Sequence, residues 1–214
     1  MARNKYPEIT VEKILDAAQR LFLEKGYENT TIQDIVGELG GLTKGAVYHH
    51  FKSKEEIMDA VNDRMFFSNN PFEAVQGRDD LSGLEKLRQA VLIHNADEEQ
   101  GEINRQATAL MKNPQMLANM LAANREVLTP YYRKLIDEGI ADGSITTSYP
   151  RELSELLPIL TSLWFIPSIY PATREEQKRK FAFILDMLDA MGLPLRDEGV
   201  EAAVERFFEK WPEK

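Results

Sequence analysis

The residues with the clearest chemistry lie between positions 43 and 54. This stretch contains three lysines, two neighbouring histidines and a tyrosine, and it has no acidic residue. Lys44 and Tyr48 are four residues apart, so a helix would present both side chains on one face. Gly45 and Ala46 are small, so the first turn of such a helix could approach another molecule closely, and its backbone N–H groups favour an anion. The pattern is typical of contacts with DNA phosphates and base edges.

Three short helices must position these residues. Apolar residues at helical spacing predict a first helix that begins at an N-cap, Thr10, and stops at Gly26. Thr31 and Asp34 have the spacing of a capping box and predict the start of a second helix. Thr43 can cap a third. Two short helices joined by a tight turn predict a helix-turn-helix, whose last helix enters the major groove of DNA.

Residues 30–58 resemble the DNA-binding segment of the TetR family of transcriptional regulators. The most recognisable part is TKGAVYHHF at 43–51, followed by KSKE, and residues 14–27 resemble the first helix of the family. With the helical periodicity elsewhere, the resemblance implies an all-α protein. It implies a three-helix helix-turn-helix DNA-binding domain over 1–54 and a larger helical effector-binding and dimerisation domain over 55–214.

The resemblance also implies a role for each matching residue. Thr43, Tyr48 and Lys54 would hold phosphates. Residues 44–46 and His49 would lie nearest base edges or adjacent phosphates, and the second helix would meet the DNA backbone. Tyr48 could instead be a core aromatic, and Lys52 and Lys54 could form an ordinary solvated face. The predicted DNA-binding residues are Thr31, Gln33, Thr43, Lys44, Gly45, Ala46, Tyr48, His49, Lys52 and Lys54.

The turn before the third helix departs from the family pattern. The family usually has a single glycine followed by a β-branched residue, whereas this chain has Gly40-Gly41-Leu42. The turn is therefore one residue longer, which changes the phase of the second helix relative to the third. The placement of Thr31 and Gln33 against the DNA backbone therefore depends on this turn.

Two long helices are predicted near the end of the chain, over 151–168 and 175–191, and both carry apolar stripes. By resemblance, these helices pair with their mates from a second copy in a four-helix bundle. The alternative is that the stripes only fill the core of one copy. The predicted dimer-interface residues are Leu156, Leu160, Leu163, Phe181, Ile184 and Leu188.

A small-molecule pocket is implied by the resemblance, because this part of the family binds effectors. Methionine and aromatic side chains suit an adaptable apolar cavity, although at helical spacing they are more often plain core. The candidate pocket residues are His94, Arg105, Met111, Met120, Tyr131 and Trp164. The neighbouring residues His49 and His50 would point about 100° apart on a helix, so we expect no metal there. We expect no cofactor, because no glycine-rich phosphate loop or dinucleotide fingerprint occurs.

The charge of the chain at first argues against nucleic acid. The 214 residues carry a formal net charge of −9. Residues 1–58, however, have eight Lys+Arg against nine Asp+Glu, and the stretch 43–54 has three lysines and no acid. The acidity therefore lies mostly in the second domain. An acidic second domain should weaken sequence-independent binding to DNA without preventing recognition of an operator.

Composition excludes several classes of protein. There is no cysteine, hence no disulfide and no cysteine nucleophile. No signal peptide is recognised, and the most apolar run falls short of the ~20 residues of a membrane span, so we expect a cytoplasmic protein without a membrane partner.

We predict a ligand-responsive, homodimeric DNA-binding regulator, not an enzyme. Its partners would be a double-stranded, palindromic operator, a second copy of the chain, and an unidentified effector that releases a repressor from DNA. The alternative is a small-molecule-binding or catalytic all-α protein whose DNA-binding unit no longer functions.

Overall fold

The computed structural model describes residues 7–67, 70–96 and 113–209, and the regular secondary structure in these ranges is helical throughout, which confirms the predicted all-α class. The irregular helical segments are a π-helical turn, Asn124–Leu128, and a 3₁₀ turn, Leu163–Phe165. The helices are α1 (Pro7–Lys25), α2 (Ile32–Glu38), α3 (Lys44–His50), α4 (Lys54–Phe67), α5 (Pro71–Gln76), α6 (Gly83–Ala96), α7 (Pro114–Ala123), α8 (Thr129–Asp142), α9 (Pro150–Thr161), α10 (Arg174–Ala190) and α11 (Glu198–Glu209).

The helices form two compact units. The first unit contains α1 to α4 and α7 as far as Asn119, and the second contains α5, α6 and the chain from Met120 onward. Packing thus groups α4 with the three helices before it. The functional boundary after residue 54 stays a prediction. None of the helices in the described ranges is both long enough and apolar enough to cross a membrane.

The first helix begins earlier than the sequence predicts. Thr10 was expected to cap it, but α1 starts at Pro7, and Thr10 is buried within the helix. Proline is favoured at the first helical position because its missing N–H would have no partner there in any case. The predicted end is confirmed, because Gly26 follows the last residue of α1 with a φ of +82°.

The core of the first unit fully buries only one side chain from each of the helices α2 and α3. The apolar stripe of α1 is buried as predicted, whereas α2 buries Ile35 and α3 buries Val47. Each of these two seven-residue helices is therefore anchored by one fully buried side chain, and its exposed residues are available to a partner. The buried stripe of α1 comprises Ile14, Ala17, Ala18, Leu21 and Phe22.

The second unit is organised around a close crossing of α6 and α8. The Gly83 N–H donates to Asp142 Oδ2 at 2.7 Å, and the Leu84 N–H donates to Ser144 Oγ at 3.3 Å. The end of α8 thus supplies acceptors for the first N–H groups of α6, which have no partner within their own helix. Leucine and isoleucine side chains of α6, α8, α9 and α10 fill the core beneath this crossing.

The helix predicted over 151–168 is wrong at its end, because α9 stops at Thr161. Pro158 lies inside α9 and lacks the N–H that would continue the hydrogen-bonding ladder. One turn later, the Thr161 hydroxyl donates to the Leu157 carbonyl at 2.8 Å, and the Ser162 hydroxyl donates to the Pro158 carbonyl. Side chains therefore bind two carbonyls at the point where the helix ends. The last residues of the predicted stripe consequently leave the helical face.

Candidate DNA-binding surface

Thr43 and two glycines set the start of α3. The Thr43 hydroxyl accepts the Ala46 N–H at 3.3 Å, which confirms the predicted cap. Gly40 and Gly41 precede it with φ angles of +53° and +114°. Both angles lie in the region that favours glycine, so the longer turn depends on this pair. At the other end of α3, Phe51 is buried and its N–H donates to the Val47 carbonyl at 2.9 Å.

The exposed face of α3 carries the residues predicted to bind DNA. Lys44, Gly45 and His49 are exposed, and Ala46 is half-buried. Tyr48 is 44% exposed, so the interpretation of Tyr48 as a core aromatic is wrong. The Lys44 ammonium lies 5.7 Å from the centre of the Tyr48 ring, close enough for a cation–π interaction. A positive charge and a phenol are thus paired on the solvent side of a helix held by Val47.

The start of α2 is an ordered, exposed cap. The Thr31 hydroxyl and the Asp34 carboxylate form the predicted capping box, with 2.6 Å between Thr31 Oγ1 and Asp34 Oδ2. Lys25 at the end of α1 reaches Asp34 Oδ1 at 3.3 Å. The Thr31 and Gln33 side chains are exposed. These contacts fix the first turn of α2 relative to α1.

Acid should weaken this cap. The Thr31 hydroxyl and backbone, followed by Lys25, lower the pKa of Asp34 from 3.8 to about 2. Because its folded-state pKa is depressed, Asp34 stabilises the fold above its unfolded pKa and loses that contribution as pH falls from 3.8 to about 2. Urea unfolding of the wild type and Asp34→Ala should therefore differ by a constant amount at pH 5 to 7. Equal differences at neutral pH and at pH 2 would contradict this.

The two lysines after α3 differ in their surroundings. The Lys52 side chain is exposed. Lys54 is half-buried, and its ammonium donates to the Tyr27 carbonyl at 2.9 Å. That ammonium also lies 4.1 Å from the centre of the Tyr27 ring. The structure thus leaves Lys52 on the surface and brings Lys54 to the turn between α1 and α2, a contact that sequence spacing did not indicate.

The residues predicted for a dimer interface differ in their exposure to solvent. Leu156 is exposed, and Leu160, Leu163 and Phe181 are half-buried. Ile184 and Leu188 were predicted there wrongly, because they are 1% and 0% exposed in the core of the second unit. A side chain covered by its own chain has no surface left for a second copy. Ile184 and Leu188 therefore belong to the core.

The most exposed apolar side chains on α9 and α10 are not among the residues predicted from the sequence. Ile159 of α9 is 41% exposed, and Phe183 of α10 is 56% exposed. The Trp164 ring lies edge-on to the Phe183 ring, with 5.9 Å between centroids. The signal that could have found them is an apolar residue beside the main stripe, with no partner left for it on its own helix.

The described candidate pocket residues have different neighbours and different exposure. Tyr131 stacks on Phe72 of α5 at 5.6 Å, whereas Trp164 lies beside Phe183 of α10. Met120 is buried and His94 is exposed. Arg105 and Met111 lie outside the described residues. The predicted effector pocket therefore stays a prediction.

Residues 14–61 match the family described as "Bacterial regulatory proteins, tetR family". The matched segment begins in α1, ends in α4 and includes the whole of α2 and α3. Over this segment the chain is similar to the tetR family. The exposed face of α3 lies within the matched segment.

Curated relatives are helix-turn-helix regulators. The chain is 34% identical over 84 residues to the transcriptional regulator TtgR of Pseudomonas putida, a match that covers 39% of this chain and 40% of that protein. The match to the transcriptional repressor KstR2 of Rhodococcus jostii is 27% identical over 152 residues and covers 66% of this chain and 71% of that protein. The chain thus spans about two fifths of the length of TtgR and more of KstR2.

Solved structures share the fold over most of the chain. SmeT, described as the repressor of the Stenotrophomonas maltophilia multidrug efflux pump SmeDEF, matches with a TM-score of 0.64 and 24% identity, over 92% of this chain and 95% of that one. A SmeT–triclosan complex matches with a TM-score of 0.62 and 22% identity, over 94% and 91%. A TetR/AcrR-family regulator from Thermobifida fusca gives 0.58 and 23%, over 96% and 100%. At these identities the likeness establishes the fold.

Proposed function

We propose that this protein is a homodimeric DNA-binding transcriptional regulator, a repressor that leaves its palindromic operator when a small-molecule effector binds. The exposed face of α3 is the observation that carries the proposal. It presents Lys44 and Tyr48 as a pair, with His49 beside them, on a helix capped by Thr43 and anchored by Val47. This geometry supports insertion of α3 into a major groove.

The side chains of α3 suit phosphates better than base edges. The Lys44 ammonium and the Tyr48 hydroxyl can each donate to a phosphate oxygen, which sets affinity and register. Gly45 has open space around it, since an added Cβ would come no closer than 3.8 Å to Thr43 Oγ1, so DNA can approach the backbone. The exposed residues of α3 include no arginine, asparagine or glutamine for bidentate base contacts. Sequence preference therefore depends in part on DNA shape.

Dimerisation is supported by the apolar surface of α9 and α10. Leu156, Ile159 and Phe183 are exposed there, with Trp164 packed against Phe183. A second copy placed on this surface would remove these side chains from water. Two copies would then present two α3 helices to half-sites about one helical turn, ~34–36 Å, apart.

Effector control is supported by the likeness to SmeT, whose fold has been solved in complex with triclosan. An effector acts only if it binds the DNA-competent and DNA-incompetent states with different affinities.

Loss of the Lys44 and Tyr48 donors on α3 should weaken DNA binding. The probe is a 30-bp duplex that the wild type enriches from a randomised library. Lys44→Ala with Tyr48→Phe should bind this duplex at least ~10-fold more weakly, because two phosphate donors are removed. The slope of log K against log salt should also fall by about 0.9 for each lost ionic contact. Fluorescence anisotropy at several salt concentrations measures both quantities.

Lys134→Ala is the matched control, because Lys134 is an exposed lysine of α8 in the other unit. It should leave both the affinity and the salt slope unchanged. Wild-type behaviour of the Lys44/Tyr48 variant would show that these contacts are wrongly assigned. Failure of the wild type to enrich any sequence over bulk DNA would favour the alternative of a non-functional DNA-binding unit.

A further inference from the structure

The amide side chain of Asn124 connects the π-helical turn to the end of α9. Asn124 is the first residue of that turn, and it is 5% exposed. Its Nδ2 donates to Ser162 Oγ at 3.0 Å and to the Pro158 carbonyl at 3.4 Å. An asparagine amide has two N–H donors, so both are directed to the end of α9. Because a buried amide without partners is costly, these hydrogen bonds hold the turn and the end of α9 together.

The backbone of Asn124 is fixed by the start of α8. The Thr129 N–H donates to the Asn124 carbonyl five residues earlier, which is the π-helical pattern. The Thr129 hydroxyl donates to the same carbonyl at 2.9 Å. Thr129 is the first residue of α8, which buries Leu135 and Ile136 in the core of the second unit. The Asn124 side chain therefore extends toward α9 from a backbone that is anchored to a packed helix.

Ser162 receives this amide at the point where α9 ends. Its N–H donates to the Pro158 carbonyl at 3.1 Å, and its hydroxyl donates to the same carbonyl. Its φ of −109° and ψ of −68° differ from those of the helix before it. The Pro158 carbonyl thus accepts from Ser162 and from Asn124 together. These bonds close the last turn of α9 at the residue where the chain leaves the helix.

The 3₁₀ turn is held on its other side by α10. The Lys180 ammonium donates to the Trp164 carbonyl at 3.0 Å. Gln177 is fully buried, and its Nε2 donates to the Phe165 carbonyl at 3.2 Å. The turn is therefore fixed at its start by the amide from the π-helical turn and along its length by two side chains of α10.

The position of the 3₁₀ turn determines part of the apolar surface of α9 and α10. The Trp164 ring lies edge-on to the exposed Phe183 ring. The exposed Ile159 lies in the last turn of α9. Ile159 comes directly before the residues that Asn124 holds, and Trp164 comes directly after them. Release of the end of α9 would therefore move both apolar side chains.

We propose that Asn124 is a positioning residue for dimerisation, which fixes the end of α9 and thereby places Ile159 and Trp164 on the surface that a second copy covers. The proposal rests on the proposed homodimer. Because Asn124 is buried, it acts through α9 and touches neither the second copy nor DNA. Loss of the amide should therefore weaken association and leave a single α3 able to bind its half-site.

The dissociation constant of the dimer, measured without DNA, tests this role. Sedimentation over a series of concentrations should give a constant about 10-fold higher for Asn124→Ala than for the wild type, because the end of α9 loses two hydrogen bonds. At neutral pH Asn124→Asp should dimerise as weakly or more weakly, since an ionised carboxylate has a similar shape but cannot donate to the Pro158 carbonyl. Neither variant should change the affinity for an isolated half-site duplex. Wild-type dimerisation of Asn124→Asp would overturn the proposal.

Ser162→Ala tests the same contact from its other side. It removes the oxygen that accepts from the Asn124 amide, so it should also raise the dissociation constant. Because both residues act through one contact, the double variant Asn124→Ala with Ser162→Ala should lose less affinity than the two single losses added together. Additive losses would mean that the two side chains act independently and would contradict the proposal.

Val75→Ala is the matched control for a general loss of stability. Val75 belongs to α5 in the same unit and is 2% exposed in its core. Its truncation should lower the free energy of unfolding, because two buried methyl groups are removed. It should leave the dissociation constant of the dimer unchanged. Equal weakening of the dimer by Val75→Ala and Asn124→Ala would mean that association only follows stability, and the proposal would be wrong.

The fluorescence of Trp164 reports on the 3₁₀ turn directly. The chain has two tryptophans, so Trp211→Phe leaves Trp164 as the remaining one. In this background, at dilutions where the protein is monomeric, acrylamide should quench Trp164 more strongly after Asn124→Ala, because the ring is no longer held against Phe183. Unchanged quenching would refute the positioning role even if the dimer were weakened.

The outcomes separate this proposal from the proposed function. A wild type that stays monomeric at every concentration would refute the proposed homodimer, and the role of Asn124 in dimerisation with it. A dimeric wild type whose dissociation constant is unchanged by Asn124→Ala would refute the positioning role alone. A dimer that is weakened by Asn124→Ala, in a protein that enriches no DNA sequence, would support the positioning role and refute the DNA-binding function.

Discussion

A variant with Ile159→Glu and Phe183→Glu should be monomeric and should bind the palindromic operator at least ~100-fold more weakly than the wild type. Both side chains are apolar and exposed, at 41% and 56%, on α9 and α10. A carboxylate buried at an apolar interface without a partner is costly, so two of them per copy should prevent association. Neither substitution touches α2 or α3, so the loss of DNA binding would arise from the loss of the dimer alone.

The size of the effect follows from bivalent binding. When one copy of a dimer occupies a half-site, the other copy meets its own half-site at a high effective concentration. A monomer has no such advantage. The variant and the wild-type protein should therefore bind an isolated half-site duplex with equal affinity and differ only on the full palindrome. Light scattering combined with size-exclusion chromatography gives the oligomeric state, and anisotropy on the two duplexes gives the affinities.

Ile140→Glu is the matched control, because Ile140 is 40% exposed on α8, outside the α9–α10 surface. This variant should remain a dimer with wild-type affinity for the palindrome. The proposed interface would be wrong if Ile140→Glu dissociated the protein while the Ile159/Phe183 variant remained dimeric. Weakened binding to the half-site by the Ile159/Phe183 variant would instead indicate damage to the DNA-binding unit.

The local features of the candidate DNA-binding surface could be predicted from the sequence because they depend on short-range hydrogen bonds. Thr31 with Asp34, and Thr43 with Ala46, are three residues apart, and each pair forms as the spacing indicates. The exposure of α3 also follows from its sequence. The helix has few apolar residues, and Val47 is the one that it buries in the core. Such signals do not require knowledge of any other part of the chain.

The long-range features could not be predicted in this way. Helical periodicity shows that Phe181, Ile184 and Leu188 share a face, but it does not show whether their own core or a second copy covers them. In the structure the core covers Ile184 and Leu188, and Phe183 beside them remains exposed. The partner of Lys54 was hidden for the same reason, because Tyr27 is distant in sequence.

Gly83→Ala should destabilise the protein strongly, by about 3 kcal/mol or more. A Cβ at position 83 would lie 2.2 Å from the backbone nitrogen of Gly139 and 2.5 Å from the Leu135 carbonyl oxygen. Both atoms belong to the backbone of α8, so they cannot rotate away as a side chain can. The α6–α8 crossing would have to open. The hydrogen bond from the Gly83 N–H to Asp142 would then be strained as well. Urea unfolding at neutral pH measures the change.

Two other glycines show that the effect depends on the neighbouring atoms and not on glycine itself. A Cβ at Gly139 would lie 2.4 Å from Ile145 Cδ1, the far end of a side chain that can shift, so Gly139→Ala should cost less than Gly83→Ala. Gly37 of α2 has open space around it, so Gly37→Ala should stabilise the protein by ~0.5–1 kcal/mol through helix propensity. Equal losses at positions 83 and 139 would mean that the backbone of α8 is not the obstacle. A neutral Gly83→Ala would mean that α6 and α8 do not cross as closely as the structure places them, since no rotamer relieves a contact with backbone atoms.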